Sequence, residues 1–160
     1  MPTLDCDHPI DSQTALLWSE TLEIPRDFGA MSSARDEVAV LVAPLGLSAD
    51  AVFDIKVALG EALTNAISHG APKHGTGVVT VVVSAYEDRL VIEVSDRGCG
   101  FDPANTLTPD LDATRGRGIM FMRALMDSVQ FESTEPCGTL VRLVKARVSD
   151  DVRDGHAHHR

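Results

Sequence analysis

Residues 48–70 read SADAVFDIKVALGEALTNAISHG, and this stretch decides how the rest of the chain folds. Its apolar side chains recur at steps of three and four, which predicts an amphipathic helix with one face on a core. Ser48 is a suitable N-cap residue, and Gly70 followed by Pro72 is expected to end the helix. The apolar face comprises Val52, Ile55, Leu59, Leu63, Ala66 and Ile67.

Three polar residues of the same helix, Glu61, Asn65 and His69, follow one another at intervals of four. They therefore line a single ridge beside the apolar face. Carboxylate and carboxamide oxygens one turn apart are ligands of the kind that Mg²⁺ takes together with water and phosphate oxygens. Taken alone, this ridge is better explained as a solvated polar stripe.

The segments around this helix predict helices packed on a sheet. A short alternating strand precedes a first helix, and two β-rich runs follow the long helix as a hairpin. A polar loop then leads to a short helix that Gly118 opens, and two strands end the fold. This order, β-α-α-β-β-α-β-β, predicts an α+β fold: a two-layer sandwich with the helices on one face of a mixed, largely antiparallel sheet. The predicted bounds, apart from the long helix, are 19–25, 27–42, 78–86, 90–95, 118–127, 128–133 and 139–148.

The chain has 160 residues, which is the length of about one domain. We expect that domain to span residues 19–148. Residues 1–18 and residues 149–160 are predicted to be flexible tails, because both are polar or charged and contain few core-forming side chains.

Composition and charge narrow the class of protein. The 14 basic and 24 acidic side chains leave a net charge of −10, which disfavours a nucleic acid as partner. No apolar run approaches the roughly 18 residues of a membrane helix. The three cysteines, Cys6, Cys99 and Cys137, show no metal-ligand spacing. A cytoplasmic protein with reduced thiols and no membrane contact is therefore expected.

A second segment with possible chemistry is VSDRGCGFDP, residues 94–103. Asp96 stands at the end of a predicted strand, where its carboxylate can accept a hydrogen bond from an exocyclic amino group. Gly98 and Gly100 follow it, and glycine lets the backbone approach a flat ring closely. An ordinary Asp-Gly turn explains the segment equally well when it is taken alone.

A third segment, RGRGI at residues 115–119, stands where the last helix is predicted to begin. Free backbone N–H groups and the positive end of the helix dipole favour an anion there. Arg115 and Arg117 add two positive charges in an otherwise acidic chain. A glycine-rich helix entry without a ligand is the alternative, and no P-loop motif occurs in the chain.

Together, the order and spacing of these segments resemble the GHKL ATPase superfamily, which includes gyrase B, MutL and the ATP domains of histidine kinases. The resemblance covers about residues 19–148 and implies a Bergerat-type ATP-binding fold. The matching positions are Glu61 and Asn65 in the helix box, Asp96, Gly98 and Gly100 in the first glycine box, Gly116 and Gly118 in the second, and the pair Gly138 and Thr139.

This resemblance implies a role for each matching position. Asn65 would bind Mg²⁺ and Glu61 would act as the base. Asp96 would accept a hydrogen bond from the amino group of adenine, with support from Thr139. The turn at residues 115–118 would hold the phosphates of ATP, and the loop of residues 102–115 would form a lid.

Within the superfamily, the chain looks most like the RsbW/SpoIIAB-type anti-sigma-factor serine kinases. The segments that carry this likeness are EALTNAISHG and RGRGIMFMRALMD. No transducer domain is expected after the nucleotide site. Only 60 residues precede Glu61, and a dimerising helix pair with a phospho-acceptor histidine is not expected among them. The chain departs little from the pattern of this subfamily; for example, Ile119 stands where Phe or Leu is usual.

The resemblance implies an ATP-dependent serine protein kinase in a bacterial partner-switching system. Such a protein binds a sigma factor, phosphorylates a serine of a small antagonist protein and commonly forms a homodimer. Two alternatives remain open. One is a non-catalytic module in which ATP creates a surface that sequesters a partner, and the other is a slow ATPase in which water replaces the serine.

Cys99 lies between the two glycines of the first glycine box, and Cys137 adjoins the pair Gly138 and Thr139; both segments are expected to border the adenine pocket. They are predicted either to be inert buried side chains or to lose access to reagents when a nucleotide binds. Cys6, in the N-terminal tail, would then be the unprotected control.

Overall fold

Five strands and three α-helices make up the part of the chain that a computed structural model describes, which is residues 14–69, 77–96, 113–133 and 138–147. The strands are β1 (Leu16–Pro25), β2 (Val78–Tyr86), β3 (Arg89–Asp96), β4 (Ser128–Ser133) and β5 (Thr139–Ala146). The helices are α1 (Met31–Val42), α2 (Ala49–His69) and α3 (Ala113–Leu125). Single turns of 3-10 helix precede and follow α1.

The strands form one sheet in the order β1-β2-β3-β5-β4, and each pair of neighbours is antiparallel. Strand β5 lies between β3 and β4 because the connection through α3 carries the chain to the sheet edge, and the β4–β5 hairpin returns it. The predicted α+β sandwich is confirmed. Among the described strands the sheet is antiparallel throughout, so the mixed sheet that was allowed for does not occur.

The core lies between the helices and one face of the sheet. Along β2, alternate side chains are buried, as expected for a strand with one covered face. All three helices contribute to the same buried cluster, so they lie on that face. No helix in the described ranges is long and apolar enough to span a bilayer. Representative core residues are Val38 of α1, Ile55, Leu59 and Leu63 of α2, Met122 of α3, and Val81, Ile92 and Leu143 of the sheet.

The long helix α2 begins and ends as its sequence predicts. The Oγ atom of Ser48 accepts a hydrogen bond from the amide of Ala51 at 3.1 Å, which is N-capping geometry. Just before it, Gly46 has a φ of 70°, in the left-handed region that glycine adopts without strain. The helix extends to His69, immediately before Gly70.

The start of α3 differs from the prediction. The sequence suggested that Gly118 opens this helix, but α3 begins at Ala113 and Gly118 lies in its second turn. Glycine is a poor helix former, which is why the helix was predicted to start there. Because Gly118 packs closely on α2, as described below, the contact between the helices outweighs its low propensity. The first turn, whose amides have no intrahelical partner, is therefore residues 113–116.

The C-terminal end of α2 is held by an arginine outside the helix. Arg26, directly after β1, donates from Nη2 to the carbonyl oxygens of Ala66 at 3.3 Å and Ile67 at 2.8 Å. These carbonyls belong to the last turn of α2, where a cation also interacts favourably with the helix dipole. Arg26 thereby joins the end of β1 to the end of α2.

Replacing Arg26 by Ala should lower the free energy of unfolding by about 1–3 kcal/mol, because two hydrogen bonds from a charged donor are lost. Urea unfolding followed by circular dichroism measures this change. Arg26→Lys keeps the charge but loses the planar donor, so it should cost less. An Arg26→Ala variant as stable as the parent chain would show that the cap contributes nothing.

Candidate functional site

Glu61 of α2 and Gly118 of α3 lie in close contact. A Cβ atom placed on Gly118 would lie 2.7 Å from Oε2 of Glu61, which is closer than real Cβ atoms approach any heavy atom. The carboxylate of Glu61 therefore lies against the backbone of α3. The sequence expected both residues in the same site, and the structure brings them into contact.

Asn65 lies one turn beyond Glu61 on α2 and is half-buried. The Nδ2 atom of its carboxamide is buried and has no hydrogen-bond partner within the described chain. A buried polar group without a partner costs free energy, which a ligand in hydrogen-bonding or coordinating contact would recover. The two ends of a carboxamide are nearly isosteric, so the group can present its oxygen to a metal ion or its N–H to an acceptor.

At the end of the sheet, Asp96 of β3 pairs directly with Thr139 of β5. Thr139 is 5% exposed and is the one buried polar residue in the described ranges. Alternation along the strands places both residues on the face that carries Ile92 and Val141, which is the face covered by the helices. The sequence predicted that Thr139 supports Asp96, and the register makes them cross-strand neighbours.

The strand ends and the polar ridge of α2 lie at the same end of the sandwich. Arg26 follows β1 and bonds to the last turn of α2, and the end of β1 pairs with the start of β2 at Val78. Across the sheet, that start lies beside the end of β3. At the opposite end, Lys145 of β5 contacts Asp54 near the start of α2. Asn65 is therefore on the same side of the molecule as Asp96.

The predicted phosphate segment lies in the first two turns of α3. Arg117 is exposed, and Gly118 is buried against α2. Arg115 and Gly116 belong to the first turn, although their side-chain environment is outside the description. The prediction that the free helix-start amides include Gly118 is wrong, because four helical residues precede Arg117.

Several predicted features fall outside the described residues. They are Gly98 and Gly100 of the first glycine box, the lid segment before Ala113, residues 1–13 and 149–160 of the predicted tails, and all three cysteines. The predicted N-terminal tail was too long by at least three residues, because β1 begins at Leu16. The side chain of His69 is also outside the description. These features stay predictions.

Two contacts of α2 were missed by the sequence reasoning. One is the cap from Arg26, which no local pattern links to a helix about 40 residues later. The other is at Gly60, where Cδ and Nη1 of Arg35 from α1 lie 3.4 Å from the position of an added Cβ. A glycine inside a strongly helical pattern is the signal that could have indicated the close approach at Gly60, because such a glycine costs helix stability unless packing requires it. The cap from Arg26 has no comparable signal.

The arrangement combines groups suited to a nucleotide and its metal ion. A carboxylate and a carboxamide lie one turn apart on α2, and the second turn of α3 meets the carboxylate at Gly118. At the end of the sheet, an aspartate is paired with a buried threonine. Glu61 can accept a proton and Asn65 can coordinate a hard cation. Asp96 can accept a hydrogen bond from an amino group.

Comparison with known proteins agrees with this geometry. Residues 24–145 match the family model described as the histidine kinase-like ATPase domain. A protein named anti-sigma F factor from Clostridium botulinum is 35% identical over 119 residues, which cover 70% of this chain and 82% of the relative. A protein of the same name from a Thermoanaerobacter species is 36% identical over 125 residues, or 74% and 87% of the two chains.

A solved structure of the RsbU and RsbW domains of a Mycobacterium tuberculosis protein has a similar fold, with a TM-score of 0.62 and 18% sequence identity. The similarity covers 82% of this chain but only 34% of that longer one. At this identity the structural match supports the fold, whereas the family assignment rests on the sequence matches. The chain belongs to the GHKL-like family of histidine kinase-like ATPase domains, and proteins named anti-sigma F factor are among its relatives.

Proposed function

We propose that this protein is an anti-sigma factor and an ATP-dependent serine kinase of a bacterial partner-switching system. The observation that carries the chemical part is the position of Glu61, a carboxylate on the same ridge as Asn65 and in contact with the second turn of α3 at Gly118. The biological part is supported by relatives named anti-sigma F factor at about 35% identity. In this proposal the chain binds a sigma factor and phosphorylates a serine of a small antagonist.

The residues present fit ATP with Mg²⁺. The Nδ2 atom of Asn65 is a buried donor without a partner among the described residues, and a phosphate or water oxygen would satisfy it. The amide oxygen of the same side chain would hold the metal ion. No cluster of three or more metal-ligating side chains occurs among the described residues, so an ion held here would need oxygens from the nucleotide and from water. That is the usual mode of Mg²⁺ in phosphoryl-transfer sites, where it neutralises charge on the phosphates.

Each of the candidate site residues has a distinct role in this proposal. Asn65 holds the metal ion, and Asp96 accepts a hydrogen bond from the adenine amino group with Thr139 beside it. Residues 115–118 bind the phosphates, with the amides of the first turn of α3 and the guanidinium groups of Arg115 and Arg117 as donors. Glu61 accepts the proton of the attacking serine hydroxyl.

A sequestering module that only binds ATP is the second candidate, and a slow ATPase is a variant of the first. The presence of a glutamate at position 61 favours retained chemistry, because a module that only binds needs no base. We propose action in the cytoplasm, where sigma factors meet RNA polymerase, and a homodimer as the working assembly. Pull-down of the full-length chain, with mass spectrometry of the captured proteins, would identify the sigma factor and the phosphate acceptor.

The metal role predicts that Asn65→Ala weakens binding of Mg·ATP at least tenfold, because the protein ligand of the ion is lost. Isothermal calorimetry with and without Mg²⁺ measures the effect. Ser68→Ala is the matched control, since Ser68 is exposed one turn further along α2 and should leave affinity unchanged. Parent-like affinity in Asn65→Ala would remove Asn65 from the metal site.

The base role predicts that Glu61→Gln binds ATP but transfers phosphate about 10²–10⁴-fold more slowly, because the shape is kept and the base is lost. The assay follows radioactive phosphate from ATP to the captured acceptor protein. Full activity in Glu61→Gln would eliminate Glu61 as the base. A parent chain that binds ATP and partner but transfers nothing would favour the sequestering module.

The adenine role predicts that ATP binds about 5- to 150-fold more tightly than GTP. Guanine presents a carbonyl oxygen where adenine has its amino group, and two facing acceptors cost roughly 1–3 kcal/mol. Asp96→Asn should narrow this difference, because an amide N–H can donate to the guanine carbonyl. Competition binding with both nucleotides measures it, and equal affinities in the parent chain would contradict the role of Asp96.

A further inference from the structure

Gly118 occupies a place where any other residue would meet Glu61. Its hypothetical Cβ lies 2.7 Å from Oε2, 3.6 Å from Cδ and 4.0 Å from Cβ of Glu61. The added Cβ would clash only with the carboxylate of Glu61, since its distance of 4.0 Å to Cβ of Glu61 is an ordinary van der Waals contact. The position is buried in the second turn of α3.

The backbone does not require glycine at this position. Among the described residues, positive φ values occur at Gly46 and Gly138 but not at Gly118. An interior helical glycine is unfavourable relative to alanine, so alanine would stabilise α3 if nothing opposed it. The contact with Glu61 is what opposes it.

We propose that Gly118 is a positioning residue for Glu61: by lacking a side chain it leaves the volume in which the carboxylate lies. Its catalytic consequence rests on the proposed kinase function, whereas the contact itself does not. A methyl group at position 118 would displace the carboxylate rather than part the helices, because the end of a glutamate side chain moves more easily than packed backbone. The base would then lie away from its working position.

A second explanation of Gly118 is that it lets phosphates approach the helix closely. The two explanations differ in one respect. If Gly118 acts through Glu61, the effect of a methyl group must depend on the side chain at position 61. If Gly118 acts on the phosphates alone, the effect must be the same whatever stands at position 61.

The first experiment is a thermal-unfolding cycle on the full-length chain without nucleotide. In the Glu61→Ala background, Gly118→Ala should raise Tm by about 2–4 °C. This is the increase expected when alanine replaces a glycine inside a helix and gains about 1 kcal/mol in a chain of this size. In the Glu61 background the rise should be smaller or absent. An equal rise in both backgrounds would overturn the proposal.

Gly60→Ala is the matched control for this cycle. Gly60 is a buried glycine inside α2, and its added Cβ would lie 3.4 Å from the flexible end of Arg35 rather than against Glu61. Successive residues of a helix do not face each other, so its effect on Tm should be independent of the residue at position 61. Non-additivity confined to Gly118 assigns the coupling to the Glu61 contact.

The second experiment measures phosphate transfer from Mg·ATP to the captured acceptor protein. Gly118→Ala in the Glu61 background should lower kcat by about 10²-fold, the order expected when a catalytic group is misplaced by about 1 Å. The Glu61→Asp substitution shortens the side chain by one methylene and draws the carboxylate away from position 118. In this background, Gly118→Ala should change kcat by no more than about twofold. An equal loss in both backgrounds would overturn the proposal in favour of a phosphate contact.

The two experiments separate failure of this inference from failure of the kinase proposal. If the parent chain transfers no phosphate, the kinase function is wrong, and the unfolding cycle alone decides whether Gly118 accommodates Glu61. If transfer occurs but the cycle is additive in both assays, the kinase function stands and the positioning role is rejected.

Discussion

The burial of one face of α2 is the constraint on which the rest of the molecule depends. Ile55, Leu59 and Leu63 are fully buried between the sheet and the flanking helices. Successive residues of a helix are separated by about 100° around its axis, so burying this face also sets the direction of every other side chain on α2. Glu61 and Asn65 consequently lie beside the core and are half-buried, and Glu61 meets α3 at Gly118.

Contacts at both ends hold α2 along its axis as well as around it. Ser48 caps its start, and Lys145 of β5 bonds to Asp54 and to the last carbonyl of α3, at Leu125. At the other end, Arg26 bonds to the last turn. Because Lys145 belongs to β5 and Arg26 directly follows β1, the position of the ridge relative to Asp96 and Thr139 depends on strand pairing. A site built from a helix and two strand ends needs this rigidity.

Small residues allow α2 to approach both neighbouring helices. Gly60 accommodates Arg35 of α1 on one side, and Gly118 of α3 accommodates Glu61 on the other. Glycine in a helix carries a cost of about 1 kcal/mol relative to alanine, and tertiary packing offsets it here. The same close packing explains why α3 continues back through Gly118 to Ala113 although its local sequence favours a later start.

The sequence by itself determined the class of fold, the extent of α2, the hairpin of β2 and β3, and the residues Glu61 and Asn65 as one ridge, because these follow from local periodicity and capping. Spacing along the chain also singled out Asp96 and Thr139. Their pairing across β3 and β5 follows from the tertiary structure, because strand order is set by which apolar faces bury each other. Two further contacts, the cap from Arg26 on α2 and the contact of Gly118 with Glu61, also join residues 40 or more positions apart. The start of α3 at Ala113 depends on the second of these contacts. Local pattern does not identify the partner in any of these cases, since the contacts arise only when the core brings distant elements together.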